Sequence, residues 1–358
     1  MIEVDIQKKL GAFQLNVRFK ADAETLGLLG ASGCGKSMTL KCIAGIEKPD
    51  AGRIVIDGEP VFDAKKGINL PPQRRGVGYL FQQYALFPTL TVYQNLDIVL
   101  PKAMQFSQRR ERIAEMIQRL RLQGLDKHKP AQLSGGQQQR TAIARMLLTT
   151  PRIIMLDEPL SALDSYLRLG VETELQSILR DFAGTILYVT HNRDEIYRVC
   201  SNIVILDEGR VVDGGSAEML FRSPRTVATA RLTGVKNVAP ATVVDASHVF
   251  VPQWGVTLEI QGPIPLNFTH VGIRGHHICV AADSATENCF EFKVTRRQSA
   301  PFEILECLRV PSQTLDPATT LVRITSGQQD PVYSWDPVER SARMQLPKSR
   351  ILLLSSAH

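Results

Sequence analysis

Apolar positions along the chain follow two textures. Near the start, Phe13, Leu15, Val17 and Phe19 alternate with polar residues, as a strand buried on one face requires. Thr25 to Leu29 is a short apolar run ending at Gly30, and Met38 to Ala44 reads as a helix closed by Gly45. The turn Pro49-Asp50-Ala51-Gly52 leads into a strand over Arg53 to Ile56. From Ser107, Ile113, Met116, Ile117 and Leu120 recur at helical spacing with arginines and glutamates between them, which predicts an amphipathic helix. It lies in a mostly helical insertion over roughly residues 85–150. Buried-strand runs return at Ile153 to Leu156, Ile186 to Thr190 and Ile203 to Leu206.

Beyond about Arg231 the helical periodicity stops. Short β-type runs, Val249 to Val251, Phe290 to Val294 and Leu321 to Ile324, alternate there with Pro and Gly turns. The pattern predicts an α/β domain over 1–228 and a smaller β-rich domain over 229–358, with Pro224 breaking the helical pattern before the boundary. A length of 358 residues fits two domains of the usual size.

Composition is that of a globular chain, with 44% hydrophobic and 22% charged residues, and excludes disorder as the default. The net charge of +6 is spread over short clusters without interleaved aromatics, so no nucleic-acid partner is expected. The six cysteines show neither a CxxC pair nor disulfide-scaffold spacing. With no signal-peptide pattern in MIEVDIQKKL and no long apolar span, a reduced, cytosolic chain is expected.

Chemistry concentrates in three segments. Gly30, Ala31, Ser32, Gly33, Cys34, Gly35, Lys36 and Ser37 form a GxxxxGKS loop between a predicted strand and a predicted helix. Its glycines let backbone N–H groups wrap phosphates, Lys36 is placed to reach the terminal phosphates, and Ser37 offers a hydroxyl to Mg²⁺. IIMLDE ends with Asp157, placed to hold the metal's water shell, and Glu158, placed to polarise the attacking water as general base. Leu133-Ser134-Gly135-Gly136-Gln137 precedes a predicted helix over Gln138 to Leu148 and offers amides, a hydroxyl and a helix dipole to an anion. Amide donors and Lys36 around Cys34 predict a lowered thiol pKa and a site where alkylation blocks hydrolysis and ATP protects.

Taken together, the three segments resemble the ATP-binding cassette, or ABC, family. The resemblance implies that Gln82 in YLFQQYALFP is the Q-loop glutamine, sensing Mg²⁺ and the γ-phosphate, Asp164 in SALD the D-loop aspartate, and His191 in YVTHNRDE the switch histidine. It implies that Ser134, Gly135, Gly136 and Gln137 contact the nucleotide of a second copy, so that two chains sandwich two ATPs head to tail. Phe13 sits where the family stacks an aromatic on adenine, although a phenylalanine on a strand is as readily core. Met38 stands where relatives commonly carry Thr or Ser, with consequences expected for packing only.

Neither a long coiled coil nor a second cassette is present, which sets aside the DNA-repair and translation branches of the superfamily. VGIRGHHI in the tail resembles the start of a TOBE domain, an OB-like barrel attached to many bacterial importer ATPases. The resemblance implies ATP and Mg²⁺ as cofactors. It also implies two permease subunits docked near Tyr84 to Leu100, an extracytoplasmic solute-binding protein, and a peripheral place on the cytoplasmic face of the inner membrane. The segments AKKGINLPPQRRGVGYLFQQYALFP and WGVTLEI look most like ATPases of molybdate importers, with sulfate, iron(III), polyamine and sugar importers as alternatives. In the tail, His276, His277 and Cys279 carry metal-ligand types, but neighbours on a strand point to opposite faces and a metal site is not expected. Ser341-Ala342-Arg343 faintly resembles a stretch of small molybdate-binding domains, a likeness read as coincidence because Pro347 and Ile351 to Leu354 suit a final strand.

Overall fold

The computed structural model describes residues 1–161, 165–299, 303–311, 320–326 and 340–356, and divides into the units Met1–Ala217 and Glu218–His358. The first unit is built on an 11-stranded sheet. Its strands are β1 (Ile2–Leu10), β2 (Phe13–Ala21), β3 (Thr25–Gly30), β4 (Ala51–Ile56), β5 (Glu59–Asp63), β6 (Ile68–Asn69), β7 (Val77–Leu80), β8 (Ile153–Asp157), β9 (Thr185–Val189), β10 (Asn202–Asp207) and β11 (Arg210–Ser216). They run in the order β6-β5-β4-β1-β2-β11-β10-β3-β9-β8-β7.

Two sequence textures explain the two halves of this sheet. On β2, Leu15, Val17, Phe19 and Ala21 are buried while Gln14, Asn16, Arg18 and Lys20 are exposed, and the strand pairs antiparallel with β1. β8 and β9 are buried at every position, as parallel strands covered on both faces must be. β3, β9, β8 and β7 are neighbours and run parallel, so their carboxyl ends open on one side of the sheet. In open α/β sheets that is where ligands bind.

The insertion is helical as expected, with α2 (Val92–Asp97), α3 (Phe106–Arg119) and α4 (Gly135–Leu148), preceded by α1 (Lys36–Ala44) and followed by α5 (Ser165–Arg180) and α6 (Arg193–Val199). Of the periodic set on α3, Ile113 is fully buried and Leu120 caps the helix end, also fully buried. α4 begins three residues earlier than predicted. Ser134 accepts from Gln137 N–H and Gln137 Oε1 accepts from Ser134 N–H, a capping box that brings Gly135 and Gly136 into the first turn.

A charge that the hydrophobic pattern did not reveal closes the other end of α1. Arg75 is 0% exposed, and its guanidinium donates to the carbonyls of Cys42 (2.8 Å), Ile43 (2.9 Å) and Leu70 (2.8 Å) and to Asn69 Oδ1 (2.8 Å). Two of these carbonyls belong to the last turn of α1, where a cation also opposes the helix dipole. Burial pulls the guanidinium pKa below its usual value. Gly45, in the left-handed region at φ 79°, passes so close that a Cβ would stand 2.5 Å from Arg75 Nε.

The second unit starts at Glu218, earlier than the predicted break at 228/229. The helix Val227–Leu232 belongs with it, because Ala230 packs with Val235 and Leu354 in a small apolar cluster. Among its described residues the unit carries three antiparallel sheets, of three, three and five strands. Asn237, buried, joins two of them: it donates to the carbonyls of Ile273 (3.1 Å) and Val322 (2.9 Å) and accepts from Val322 N–H (2.6 Å). Arg323 and Glu306 form a buried ion pair at 2.8 Å. The final strand is Leu352–Leu354, while Ser341, Ala342 and Arg343 lie within the strand Arg340–Gln345. His276 and His277 occupy a 3-10 turn, Gly275–His277, with their rings edge to face at 4.3 Å, so the strand argument applied to them does not hold.

Replacing Arg75 with Met keeps most of the volume but removes the charged donor from the carbonyls of Cys42, Ile43 and Leu70, and is expected to destabilise the first unit by about 3 kcal/mol. Urea unfolding of the full chain measures it, and an unchanged midpoint would remove Arg75 from the account of α1.

Candidate functional site

The phosphate loop follows β3 and turns into α1 at Gly35, whose φ of 107° is left-handed. With no side chain at this N-cap position, the first amides of α1 are left without a side-chain cap, the arrangement that receives a phosphate. A Cβ on Gly35 would also lie 2.5 Å from Leu15 and 3.2 Å from the Phe13 ring. Phe13 is therefore half-buried against the loop. Lys36 is buried, its ammonium donating to the carbonyls of Gly30 (2.7 Å) and Ala31 (2.9 Å). Ala31, Ser32 and Gly33 are exposed at the loop's outer rim, and Met38 packs on the core as its position after Ser37 suggested.

Two clusters form at the carboxyl end of β8. In the first, Ser37 Oγ donates to Asp157 Oδ1 at 2.9 Å and Tyr79 Oη donates to Asp157 Oδ2 at 2.9 Å. Burial raises the Asp157 pKa, and the two hydroxyls and Lys41 oppose that rise while Glu158 adds to it. A buried carboxylate beside a serine hydroxyl presents hard oxygen ligands, so the donor set fits Mg²⁺. In the second cluster, Glu158 takes φ 48° and turns away from its neighbour. One carboxylate oxygen accepts from Gln82 Nε2 at 3.3 Å and the other lies 3.1 Å from His191 Nδ1. The structure thus brings together Lys36, Ser37 and Asp157, and beside them Gln82, Glu158 and His191.

Local structure explains how those two partners arrive. Gln82 stands two residues beyond β7, and His191 two beyond β9, strands that flank β8. Asn192 caps α6 by accepting from Asp194 N–H (3.0 Å) and Glu195 N–H (3.1 Å), and its own N–H donates to Thr190 Oγ1 (3.0 Å). His191 is therefore fixed between a strand end and a helix start. Ser134 to Gln137 stand apart: their side-chain bonds close their own capping box, with Ser134 and Gly135 exposed. Asp164 lies outside the described residues.

Cys34 corrects an expectation. Its thiol is 5% exposed, and burial raises its pKa despite Lys36 Nζ at 3.8 Å, which acts in the opposite direction. Desolvation outweighs the neighbouring charge because the sulfur is packed beneath the loop.

Sequence reasoning also missed two residues. Tyr79 holds the second oxygen of Asp157, and an aromatic at a strand position carried no chemical signal. Asn95, fully buried, donates to the carbonyls of Phe87 (3.2 Å), Leu90 (3.1 Å) and Thr91 (3.0 Å) and accepts from Phe87 N–H (2.9 Å). It shapes the loop after Gln82, where Tyr84 and Ala85 both take left-handed φ values of 57° and 46°. Arg145 reaches the same loop, donating to the Tyr84 carbonyl (3.1 Å) and stacking over the Phe87 ring at 5.5 Å. Nearby in the insertion, Tyr93, Arg110, Ile113, Ala114, Ile117 and Asp126 line a cleft of about 520 Å³.

A phosphate loop, a serine–aspartate pair for a metal and a glutamate held at both oxygens, all on adjacent parallel strands, define a P-loop ATPase. A family model described as ABC transporter matches residues 14–161. The chain is 38% identical over 224 residues to the molybdenum import ATP-binding protein ModC of Paramagnetospirillum magneticum, covering 63% of this chain and 61% of that protein. It is 40% identical over 248 residues to the Fe(3+) ions import ATP-binding protein FbpC of Brucella abortus, covering 68% and 69%. Among solved structures, the dimeric post-hydrolysis state of an ATP-binding cassette bound to ADP and Pi matches with a TM-score of 0.52 at 31% identity, over 61% of this chain and 99% of that one. The chain belongs to the ABC transporter family, among its ATP-binding subunits. It spans less than two thirds of the ModC relative's own length.

Two outcomes follow from this geometry. Tyr79→Phe is expected to leave ATP affinity in EDTA unchanged and to raise the Mg²⁺ needed for half-maximal hydrolysis about fivefold, the effect of losing one hydrogen bond of about 1 kcal/mol. Equal Mg²⁺ titrations of both proteins would exclude the positioning role. At pH 7.5 Cys34 is expected to react with iodoacetamide at least about tenfold more slowly than the exposed Cys279, and to speed up as pH rises. Peptide mass spectrometry gives both rates.

Proposed function

We propose that this chain hydrolyses ATP to drive solute import through a membrane permease. The observation that carries the reading is the double hold on Glu158 by Gln82 and His191, one residue beyond the Asp157 that pairs with Ser37. Lys36 and the amides of the loop bind the phosphates and orient the terminal one toward Glu158. Glu158 accepts a proton from the attacking water, while His191 and Gln82 fix the direction of its carboxylate. Ser37 and Asp157 would hold Mg²⁺, which when bound would supply positive charge to offset that developing on the phosphates.

Two copies are proposed to close head to tail, each placing the exposed Ser134–Gln137 turn and Asp164 against the other's nucleotide. A similar cassette has been solved as a dimer, which supports the pairing, as does the exposure of Ser134 and Gly135 at the start of α4. The permease docks in the insertion. The cleft lined by Tyr93 and α3 supplies apolar residues, Ile113, Ala114 and Ile117, with Arg110 and Asp126 on its lining, and Phe87 in the loop after β7 is 46% exposed. Asn95 and Arg145 link that region to Gln82, so closure around ATP and motion at the cleft share one loop. No helix among the described residues is long and apolar enough to cross a membrane, in keeping with a peripheral subunit on the cytoplasmic face of the inner membrane. The second unit is proposed as a TOBE-type regulatory module.

For cargo we propose molybdate or tungstate, supported by the ModC likeness and by the segments at residues 64–88 and 254–260. Iron(III) is the second reading, carried by the FbpC relative at 40% identity. Reconstitution with the permease, and with binding protein loaded with molybdate, sulfate or iron(III), decides between them: molybdate alone is expected to stimulate hydrolysis strongly. Glu158→Gln is expected to bind ATP and dimerise while kcat falls about 10²- to 10⁴-fold. Near-normal turnover in that variant would remove Glu158 as the base.

A further inference from the structure

His191 poses a positional problem. Its side chain is 58% exposed, yet its Nδ1 stands 3.1 Å from one carboxylate oxygen of Glu158. A side chain so open to solvent keeps rotamers that packing does not choose between, so its direction rests on the backbone that carries it. That backbone is a short connection, leaving β9 at Val189 and entering α6 at Arg193.

Three hydrogen bonds close a ring around this connection. Asn192 N–H donates to Thr190 Oγ1 (3.0 Å), Thr190 Oγ1 donates to Glu195 Oε2 (3.2 Å), and Glu195 N–H donates back to Asn192 Oδ1 (3.1 Å). A hydroxyl has one proton and two lone pairs, so a proton directed at Glu195 leaves a lone pair facing the Asn192 amide. Without the carboxylate the hydroxyl is free to rotate, and the turn from Thr190 to Asn192 loses its fixed form. The other oxygen of Glu195 accepts from the Tyr188 hydroxyl on β9. Burial, then Glu195, raises the Tyr188 pKa, so the phenol stays protonated and remains a donor. Tyr188, Thr190 and Glu195 are all buried. α6 is anchored separately, by the fully buried Ile196 and by Arg198, which donates to both oxygens of Glu172 on α5 (2.7 and 2.8 Å). Burying a carboxylate is costly, and an apolar residue of similar volume at 195 would seat α6 at least as well. What an apolar residue would not supply is the acceptor that orients Thr190.

We propose that Thr190 and Glu195 are positioning residues for hydrolysis: their hydrogen-bonded ring fixes the chain at His191, and His191 in turn holds the Glu158 carboxylate toward the attacking water. His191 and Gln82 each meet one oxygen of Glu158, so a shift of the histidine releases one side of the base while the other stays held. A misplacement of about 1 Å at a reacting group costs up to about 10²-fold in rate, whereas nucleotide binding rests on the phosphate loop and is untouched. The assignment rests on Glu158 being the general base.

The test combines steady-state ATP hydrolysis by the full chain with nitrogen NMR of His191 in the nucleotide-free protein, its resonance identified by loss in His191→Ala. Thr190→Val removes the hydroxyl and keeps the shape. It is expected to lower kcat at least about fivefold, the scale of one lost hydrogen bond, with KM within about twofold of the parent. Thr190→Ser keeps the hydroxyl and is expected to recover most of that loss. Glu195→Asp, whose carboxylate falls one methylene short of Thr190, is expected to reproduce the loss and replaces Thr190→Val should that variant not fold. Independently of turnover, Glu158→Gln is expected to move the His191 Nδ1 resonance in the parent and in Thr190→Ser but not in Thr190→Val. Full kcat in folded Thr190→Val or Glu195→Asp, an equal loss in Thr190→Ser, or a response to Glu158→Gln that survives in Thr190→Val would each overturn the assignment, with thermal melts confirming that each variant is folded. Near-normal turnover in Glu158→Gln would instead defeat the base reading, and the NMR response would still report whether the ring places His191 against Glu158.

Discussion

Everything at the nucleotide end depends on how β8 releases its chain. The strand is buried on both faces through Asp157, yet its last two carboxylates must serve different partners. A residue in the β region would place Glu158 opposite Asp157 and out of reach of the flanking loops. The left-handed φ of Glu158 resolves this, so that Asp157 stays against Ser37 and Tyr79 while Glu158 meets Gln82 and His191. Such a backbone costs on the order of 1–3 kcal/mol in a non-glycine residue and persists only where surrounding contacts impose it. Here Glu158 N–H donates to the Val189 carbonyl, and Ser161 returns two hydrogen bonds to the Glu158 carbonyl.

The parallel half of the sheet converts that local geometry into a site. Because β3, β9, β8 and β7 are adjacent and co-directional, four loops far apart in sequence leave the sheet side by side. Asn95 and Arg145 then tie the loop after β7 to the helical insertion through backbone carbonyls. Gln82, which touches Glu158, and the carbonyls that Asn95 and Arg145 hold therefore belong to one connection, between β7 and α2.

What was legible in the sequence followed from repetition and from spacing. Alternation marked β2, unbroken apolar runs marked β8 and β9, and the GxxxxGKS loop between a strand and a helix located the phosphates. Residues whose work depends on a distant partner left no such trace. Tyr79 gains its role only when β7 is laid beside β8, Asn95 only when a loop folds back on it, and Arg75 only when α1 ends against it. Cys34 was misread for a related reason: its neighbours in sequence argued for a reactive thiol, whereas burial, a property of the fold, decided otherwise. The break at Ala217 came earlier than composition suggested because the helix Val227–Leu232 continues the helical texture of the domain before it while packing on the one after.

Arg75 gives α1 an electrical character of its own. A nine-residue helix is about 13 Å long, so the phosphate loop and the guanidinium stand at its opposite ends. The carbonyl end of such a helix carries partial negative charge that offsets, at its far end, the attraction felt by an anion. By neutralising that end with a permanent, buried cation, the fold turns a short dipole into something closer to a single positive pole facing the nucleotide. Since the compensating charge is out of reach of solvent ions, that pole is screened far less by cellular salt than one built from surface lysines.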